Sequence, residues 1–143
     1  MRPDRSALDA AYRATSFFVD GPAGRFAVRV GRPCAELDRL LDEQGKATWA
    51  YVTAYNPGSS PAPAAANIAA QRELEQAVAE AGYPYYRGEG AGDDGTWPPE
   101  PSLLVLGVSE AEGSALARRF GQLALVFGER GGPARLVWVG GGP

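Results

Sequence analysis

The 143-residue sequence has no histidine and only one cysteine, Cys34. Without histidine, the chain lacks the side chain that most often acts as a general base or binds a metal near neutral pH. One cysteine cannot form an internal disulfide, which fits a reducing compartment, and a zinc site made from one cysteine and carboxylates would be unusual. We therefore expect neither a metal nor another cofactor.

The sequence also lacks a strong charge of one sign and any long apolar run. Its formal net charge is -3, so no clustered basic surface for nucleic acid is expected. No apolar run approaches the roughly 20 residues that span a bilayer, and the first 16 residues are too charged for a signal peptide. We expect a cytoplasmic protein with neither membrane nor nucleic acid as a partner.

Length and composition indicate one ordinary globular domain covering residues 1–143. Arginine outnumbers lysine by 13 to 1, and alanine, glycine and proline are abundant. This bias is typical of a GC-rich coding sequence and indicates a bacterial origin.

In the first half of the chain, residues 8–15 are predicted to form a short helix that leads into the first strand. Residues 17–19 and 26–30 are predicted to be strands around the turn-rich "DGPAG". A helix follows from Pro33 to Gly45, since proline suits the first helical position and glycine the end. The segment "TWAYVTAY" (48–55) is apolar on both faces, which predicts a central strand.

The second half begins with a predicted helix over 65–81, whose apolar stripe comprises Ile68, Leu74, Val78 and Ala81. "YPYYRG" is predicted to be an edge strand because Pro84 cannot donate to a ladder, and 88–101 to be a long loop. "SLLVLGV" (102–108) is predicted to be a second central strand, followed by a helix that a capping box opens at Ser109. "ALVFG" and "RLVWV" are predicted to be the last strands.

These elements predict an α/β (α+β) fold with a mostly antiparallel sheet and about three helices. The six elements over 48–128 have the order βαββαβ, which is typical of a ferredoxin-like core. An N-terminal hairpin with its helix, and a C-terminal strand, would be additions to that core.

One motif is rejected on its context. Residues 90–95, "GAGDDG", match G-x-G-x-x-G, but they lead into "TWPPEP", which cannot begin the helix that a dinucleotide site requires. Asp93 and Asp94 would also repel phosphate. An Asp-Gly turn is the simpler interpretation of this segment.

Several polar residues stand at the ends of predicted elements. The prolines around Trp97 would hold it beside Glu100, either as a ligand wall or with Trp97 plugging the core and Glu100 in solvent. Ordinary roles for Asn56 and Asn67 are an Asx-turn and a helix N-cap. Gln122 could close backbone hydrogen bonds after Gly121.

Four motifs occur together in order: "TAYNP" at 53–57, an asparagine at the next helix start, "WPPE" at 97–100 and "FGQ" at 120–122. In these motifs the chain resembles DUF3293, a bacterial family of unknown function, over about residues 12–128. The resemblance implies no activity. It implies that function lies near residues of the signature, which are polar and stand at element ends.

We therefore expect one polar pocket at one end of the sheet, with ligand-binding residues Thr53, Asn56, Asn67, Trp97, Glu100 and Gln122. The favoured function is a small ligand-binding or regulatory domain for a polar small molecule. One alternative is an enzyme that uses Glu100 as general acid or base without a metal. Another is a protein-interaction module or homodimer that pairs through the strand edge at 83–87 or 135–139. The sequence leaves open whether the protein is an enzyme.

Overall fold

A computed structural model describes residues 4–140 as a mixed α/β fold with seven strands and four α-helices. The helices are α1 (Arg5–Arg13), α2 (Ala35–Gln44), α3 (Ala64–Glu80) and α4 (Glu110–Arg119), and a short 3₁₀ turn occupies Pro57–Ser59. The strands are β1 (Thr15–Gly21), β2 (Gly24–Val28), β3 (Thr48–Val52), β4 (Tyr85–Gly92), β5 (Glu100–Leu106), β6 (Ala124–Glu129) and β7 (Arg135–Trp138).

All seven strands form one antiparallel sheet in the order β2-β1-β4-β5-β3-β6-β7. The sheet curls until its two ends meet. Val30, just after β2, bridges Ala134, just before β7. The amide of Gly31 donates to the Ala134 carbonyl at 2.8 Å, and the Ala134 amide donates to the Arg32 carbonyl at 3.1 Å. The curl gives the sheet a concave and a convex face.

Each face of the sheet carries its own apolar cluster. On the concave face, Leu37, Leu40 and Leu41 of α2 pack against residues from across the sheet. On the convex face, α3 and α4 cover the central strands. Strand β3 is buried on both sides, because Trp49 and Tyr51 join the concave cluster while Ala50 and Val52 join the convex one. The predicted central pairing of the two doubly apolar strands is confirmed, since β3 and β5 are neighbours.

The predicted α/β class and antiparallel sheet are confirmed, but the helix count was too low. The lead expected at 8–15 is a full helix, α1, which makes four helices instead of about three. Asp4 caps it, accepting a hydrogen bond from the Ser6 amide. The capping box of α4 is also confirmed, with Ser109 and Glu112 bonded reciprocally at 3.0 and 2.8 Å.

The edge strand predicted at 83–87 is the start of a longer strand that is interior in the strand order, and only its first residues, 85–87, pair on one side alone. Pro84 lies just before β4, so its missing N–H costs no ladder bond, and its carbonyl accepts from the Leu106 amide at 2.9 Å. β4 pairs with β1 on one side and β5 on the other, and it extends to Gly92. The loop expected over 88–101 therefore shrinks to 93–99. Tyr85, Tyr86 and Arg87 pair with β5 alone, and β7 lies at the end of the strand order.

The register of α3 also differs from the prediction. The helix begins at Ala64 with Pro63 at the cap position, so Asn67 lies inside the helix and is not its N-cap. Ile68 is 44% exposed, and the expected stripe through it and Ala81 was wrong. The buried face instead follows Asn67, Leu74 and Val78, and two polar side chains, Asn67 and Gln71, occupy its first two turns.

Within residues 4–140, no helix combines the length and the apolar character needed to cross a membrane.

Candidate functional site

A cavity of about 480 Å³ opens on the concave side of the sheet, where β3 ends and β5 begins. α1 contributes Leu8, Ala11 and Tyr12 to one wall. Gly90 and Gly92 of β4 also line the cavity, and their lack of side chains leaves space there. Five of the six predicted site residues line it as well: Thr53, Asn56, Trp97, Glu100 and Gln122.

The turn after β3 is held in an unusual backbone conformation. Asn56 has φ 48° and ψ 62°, a left-handed conformation that asparagine tolerates better than most residues. Gly58, at φ 70°, continues the turn, and its amide donates to the Gly121 carbonyl at 2.9 Å. The "NPG" sequence thus turns the chain sharply and anchors it beside the end of α4.

Asn67 is the residue that fixes Asn56. The Asn56 amide donates to Asn67 Oδ1 at 2.9 Å, and Asn67 Nδ2 donates to Asn56 Oδ1 at 2.9 Å. Asn56 Oδ1 also accepts from the Ala62 amide at 3.0 Å. These bonds occupy the Asn56 oxygen and leave its Nδ2 pointing towards the cavity wall. Asn67 is only 6% exposed and does not line the cavity, so it supports the site from behind.

Glu100 is held by two N–H groups on one oxygen. Its Oε2 accepts from Asn56 Nδ2 at 2.8 Å and from Trp97 Nε1 at 2.8 Å. No residue among 4–140 is bonded to its Oε1. Hydrogen bonds to an ionised acceptor are among the stronger ones in proteins, so they orient the carboxylate well. The result is a fixed carboxylate with one oxygen available at the cavity wall.

One of the two interpretations placed Trp97 in the end of the core, but the structure does not. Its side chain is 41% exposed and lines the cavity while its indole N–H is bonded to Glu100. The placement matches the other interpretation, in which Trp97 forms part of a wall beside the carboxylate.

Gln122 is 7% exposed and its amide orientation is defined by two carbonyls. Nε2 donates to the carbonyl oxygens of Tyr55 at 3.0 Å and Phe120 at 3.3 Å, as the sequence interpretation expected. No described residue donates to Oε1. Since no fully shielded side-chain nitrogen or oxygen lacks a partner within 4–140, this oxygen is accessible, and Gln122 is one of the residues that line the cavity.

Thr53 and Gln71 complete the support of this end of the sheet. The Thr53 hydroxyl donates to the Pro101 carbonyl at 2.7 Å, tying the end of β3 to the start of β5. Gln71 Oε1 accepts from the Ala54 amide at 2.9 Å. Both bonds fix the segment that leads from β3 into the Asn56 turn.

Tyr12 is the residue of the cavity that sequence reasoning missed. Burial raises the pKa of its hydroxyl; the neighbouring Ser59 opposes this rise and the charge of Glu100 adds to it. Its ring also packs edge-on against Trp138, with centroids 5.9 Å apart. A single tyrosine in an alanine-rich helical lead carries no motif, so nothing in the sequence indicated that it would face Glu100.

The acidic turn at 93–94 is structural, as expected. Asp94 Oδ1 accepts from the amide and hydroxyl of Thr96 at 3.0 and 2.9 Å, an Asx-turn. Asp93 is paired with Arg29 at 2.7 Å, and this guanidinium holds the pKa of the Asp93 carboxyl below its usual value. In the described part of the chain, no three His, Cys, Asp or Glu side chains are grouped so that they could hold a metal ion.

A family model described as "Protein of unknown function (DUF3293)" matches residues 52–125. The matched segment is shorter than the 12–128 expected from the motifs, but it includes all six predicted site residues. Tyr12 and the rest of α1 lie outside it. Comparisons with curated proteins and with solved structures found no match.

Proposed function

Because the chain belongs to the DUF3293 family, whose description assigns no activity, we propose its function from the geometry of the site: it binds a polar small molecule in the cavity beside Glu100. One observation carries this proposal. Asn56 and Trp97 both bond to one oxygen of Glu100, and no described residue bonds to the other. Because Glu100 lines the cavity, its second oxygen is available to accept a hydrogen bond from a ligand there.

The size and lining of the cavity support the proposal. Its volume of about 480 Å³ lies within the range of roughly 300–1,000 Å³ found for small-molecule sites. Its lining combines aromatic side chains with a few fixed polar groups, the usual composition of such sites.

Preorganisation of the site supports it as well. Asn56 and Ser59 both have positive φ, at 48° and 60°, although neither is glycine. Such backbone strain persists only where the surroundings enforce it, and it is concentrated at functional sites. Here the Asn67 bonds enforce it, and they hold Asn56 where it orients Glu100.

Thermal-shift screening of a metabolite library tests the proposal with three proteins: the wild type, Glu100→Gln and Glu110→Gln. Glu110 is a matched control because its carboxylate pairs with Arg135 on the surface and does not line the cavity. We expect compounds that stabilise the wild type and Glu110→Gln but lose most of the shift with Glu100→Gln. If no compound shifts the wild type, or if all three proteins respond alike, the proposal fails.

A second proposal is acid–base catalysis in which Glu100 Oε1 accepts a proton and Tyr12 donates one. Glu100 and Tyr12 both line the cavity, and the charge of Glu100 acts on the Tyr12 hydroxyl, which favours a ligand in contact with both groups. A ligand from the screen would be followed by NMR for chemical conversion. Conversion that stops with both Glu100→Gln and Tyr12→Phe supports catalysis, and an unchanged ligand leaves binding alone.

We also propose that β3, α3, β4, β5, α4 and β6 form a ferredoxin-like core. The strand order β4-β5-β3-β6 and the packing of both helices on the convex face support it. The composition supports a bacterial, cytoplasmic protein, and the terminal position of β7 supports pairing of two chains through 135–138 as a further alternative.

A further inference from the structure

The charged side chains that line the cavity are all acidic: Asp93, Asp94 and Glu100. No arginine or lysine among residues 4–140 is part of the lining. Asp93 is neutralised by Arg29, whereas Glu100 takes part in no ion pair with a described residue. The cavity therefore contains a carboxylate that has no cationic partner among residues 4–140.

Five of the eight hydroxyl groups in the lining donate to oxygens of described residues: Tyr51, which bonds the Phe18 carbonyl at 2.7 Å, and four others. The hydroxyls of Tyr12, Tyr55 and Ser59 donate to no described residue and remain available as donors. Each of the four other donating hydroxyls bonds to a carbonyl or carboxylate oxygen, at distances from 2.7 to 2.9 Å. Because a hydroxyl has a single proton, these four can offer a ligand only lone pairs. They belong to Thr15, Thr53, Thr96 and Ser102.

The amide and indole groups show the same imbalance. The indole N–H of Trp97 and one Nδ2 hydrogen of Asn56 are bonded to Glu100. Gln122 is an independent case: it lines the cavity and is more than nine-tenths buried, its Nε2 donates to two carbonyls, and no described residue donates to its Oε1. The site thus offers acceptors at Glu100 and Gln122.

Aromatic side chains form much of the remaining wall. Five of them line the cavity: Tyr12, Phe17, Tyr51, Tyr55 and Trp97. Aromatic rings provide apolar contact, and their faces attract cations electrostatically.

We infer that the ligand is an organic cation, a protonated amine on an apolar body about the size of one ring. An ammonium group has three donors and no acceptor, which complements a wall rich in acceptors. Its charge is attracted to Glu100, and its body lies against the aromatic side chains. The inference rests on the proposed function, because it specifies what the same cavity binds.

The test compares three compounds of similar shape and different charge on ¹⁵N-labelled wild-type protein: 2-phenylethylamine, 2-phenylethanol and phenylacetate. Binding is followed at the Trp97 indole N–H and at backbone amides of the cavity. We expect the amine to bind about tenfold or more tightly than the alcohol, since a hydrogen bond to a charged group is worth about 1.5–3 kcal/mol. Phenylacetate should not bind.

Two variants test whether Glu100 is the source of the preference for a cationic ligand. Glu100→Gln should reduce amine affinity by about tenfold while changing alcohol affinity by no more than about threefold. Glu110→Gln should leave both affinities unchanged. If Glu100→Gln does not fold, the three-compound comparison on the wild-type chain still decides.

The outcomes separate this inference from the proposed function. Equal affinity for amine and alcohol, tighter binding of phenylacetate, or no binding of the amine overturns the cationic ligand. The library screen decides separately whether the cavity binds anything. If neutral or anionic compounds stabilise the wild type and lose this effect with Glu100→Gln, the proposed binding function stands and the inference of a cationic ligand is overturned.

Discussion

Asn56 and Asn67 are joined twice, by the Asn56 amide donating to Asn67 Oδ1 and by Asn67 Nδ2 donating to Asn56 Oδ1, both at 2.9 Å. This pair connects the turn after β3 to the first turns of α3. It also frees Asn56 Nδ2 for Glu100, so the orientation of the carboxylate depends on a residue that does not line the cavity.

Replacing Asn67 by alanine should destabilise the protein, because it removes two hydrogen bonds to Asn56 and leaves the Asn56 backbone amide without its acceptor. Leaving such groups unpaired costs about 1–3 kcal/mol, and we expect a loss of about 2 kcal/mol in the free energy of unfolding in urea. Gln76→Ala, on the exposed side of the same helix, is the control and should change it by less than about 0.5 kcal/mol. Similar losses in the two variants would contradict the role given to Asn67.

The left-handed backbone of Asn56 predicts which of two variants that lack its side-chain amide is the more stable. Asn56→Gly and Asn56→Ala both lose the side-chain bonds, but only alanine meets the left-handed penalty of about 1–2 kcal/mol. We expect Asn56→Ala to be the less stable by about 1 kcal/mol in urea denaturation. Equal stabilities, or a more stable alanine variant, would show that the turn relaxes out of this conformation.

The hydrogen bond from Trp97 to Glu100 should be visible directly in the indole N–H signal. In Glu100→Gln the acceptor becomes neutral and the bond weaker by roughly half, so the proton should resonate further upfield and exchange faster with solvent. Glu110→Gln should leave this signal in place. An indole resonance that does not respond to Glu100→Gln would mean that the bond is not formed in solution.

Strand β4 contains a matched pair of glycines that should respond differently to alanine. A Cβ at Gly88 would lie 1.9 Å from the Phe18 carbonyl oxygen of β1, whereas a Cβ at Gly90 would lie 3.5 Å from the nearest atom of Phe17. Gly88→Ala should therefore separate β1 from β4 and cost several kcal/mol.

Gly90→Ala should cost less than about 1 kcal/mol, as an alanine that fits does. Thermal denaturation of the two variants provides the measurement. If Gly88→Ala has the same melting temperature as the wild type, β1 and β4 do not approach each other as closely as described.

The ion pair of Asp93 with Arg29 predicts a pH dependence. Arg29 lowers the pKa of the Asp93 carboxyl in the folded protein, so at low pH this carboxyl binds fewer protons in the native state than in the unfolded state. The contribution of the ion pair to the free energy of unfolding is therefore fully present above the unfolded-state pKa of about 3.9. It is lost as the pH falls through the lower pKa of the folded state. Arg29→Gln should raise the Asp93 pKa in an NMR titration and flatten the acid limb of the stability profile. An unchanged Asp93 titration would remove Arg29 as the cause.

Sequence patterns predicted the parts of this fold that depend on apolar residues. The doubly apolar strands β3 and β5 are central, and the capping box starts α4, because burial on two faces and cap chemistry are local signals. The predicted clustering of polar site residues is also observed: five line one cavity, and Asn67 bonds to one of them. Whether they bind a ligand stays a prediction.

The errors have physical causes. β4 was interpreted as partly loop because Gly88, Gly90 and Gly92 have low strand propensity, although close approach to β1 requires glycine at position 88. Asn67 was interpreted as a cap because a buried asparagine inside a helix depends on Asn56, a partner distant in sequence. The position of α1, and with it Tyr12, depends on tertiary contacts such as that with Trp138.

The bridge between Val30 and Ala134 has a consequence for synthesis of the chain. These residues lie roughly a hundred positions apart, and contacts of such long range form slowly. While the chain emerges from the ribosome, the hairpin of β1 and β2 must wait until residue 134 has been synthesised before the ends of the sheet can meet. Until then β2 presents an open edge, the kind of surface on which nascent chains aggregate.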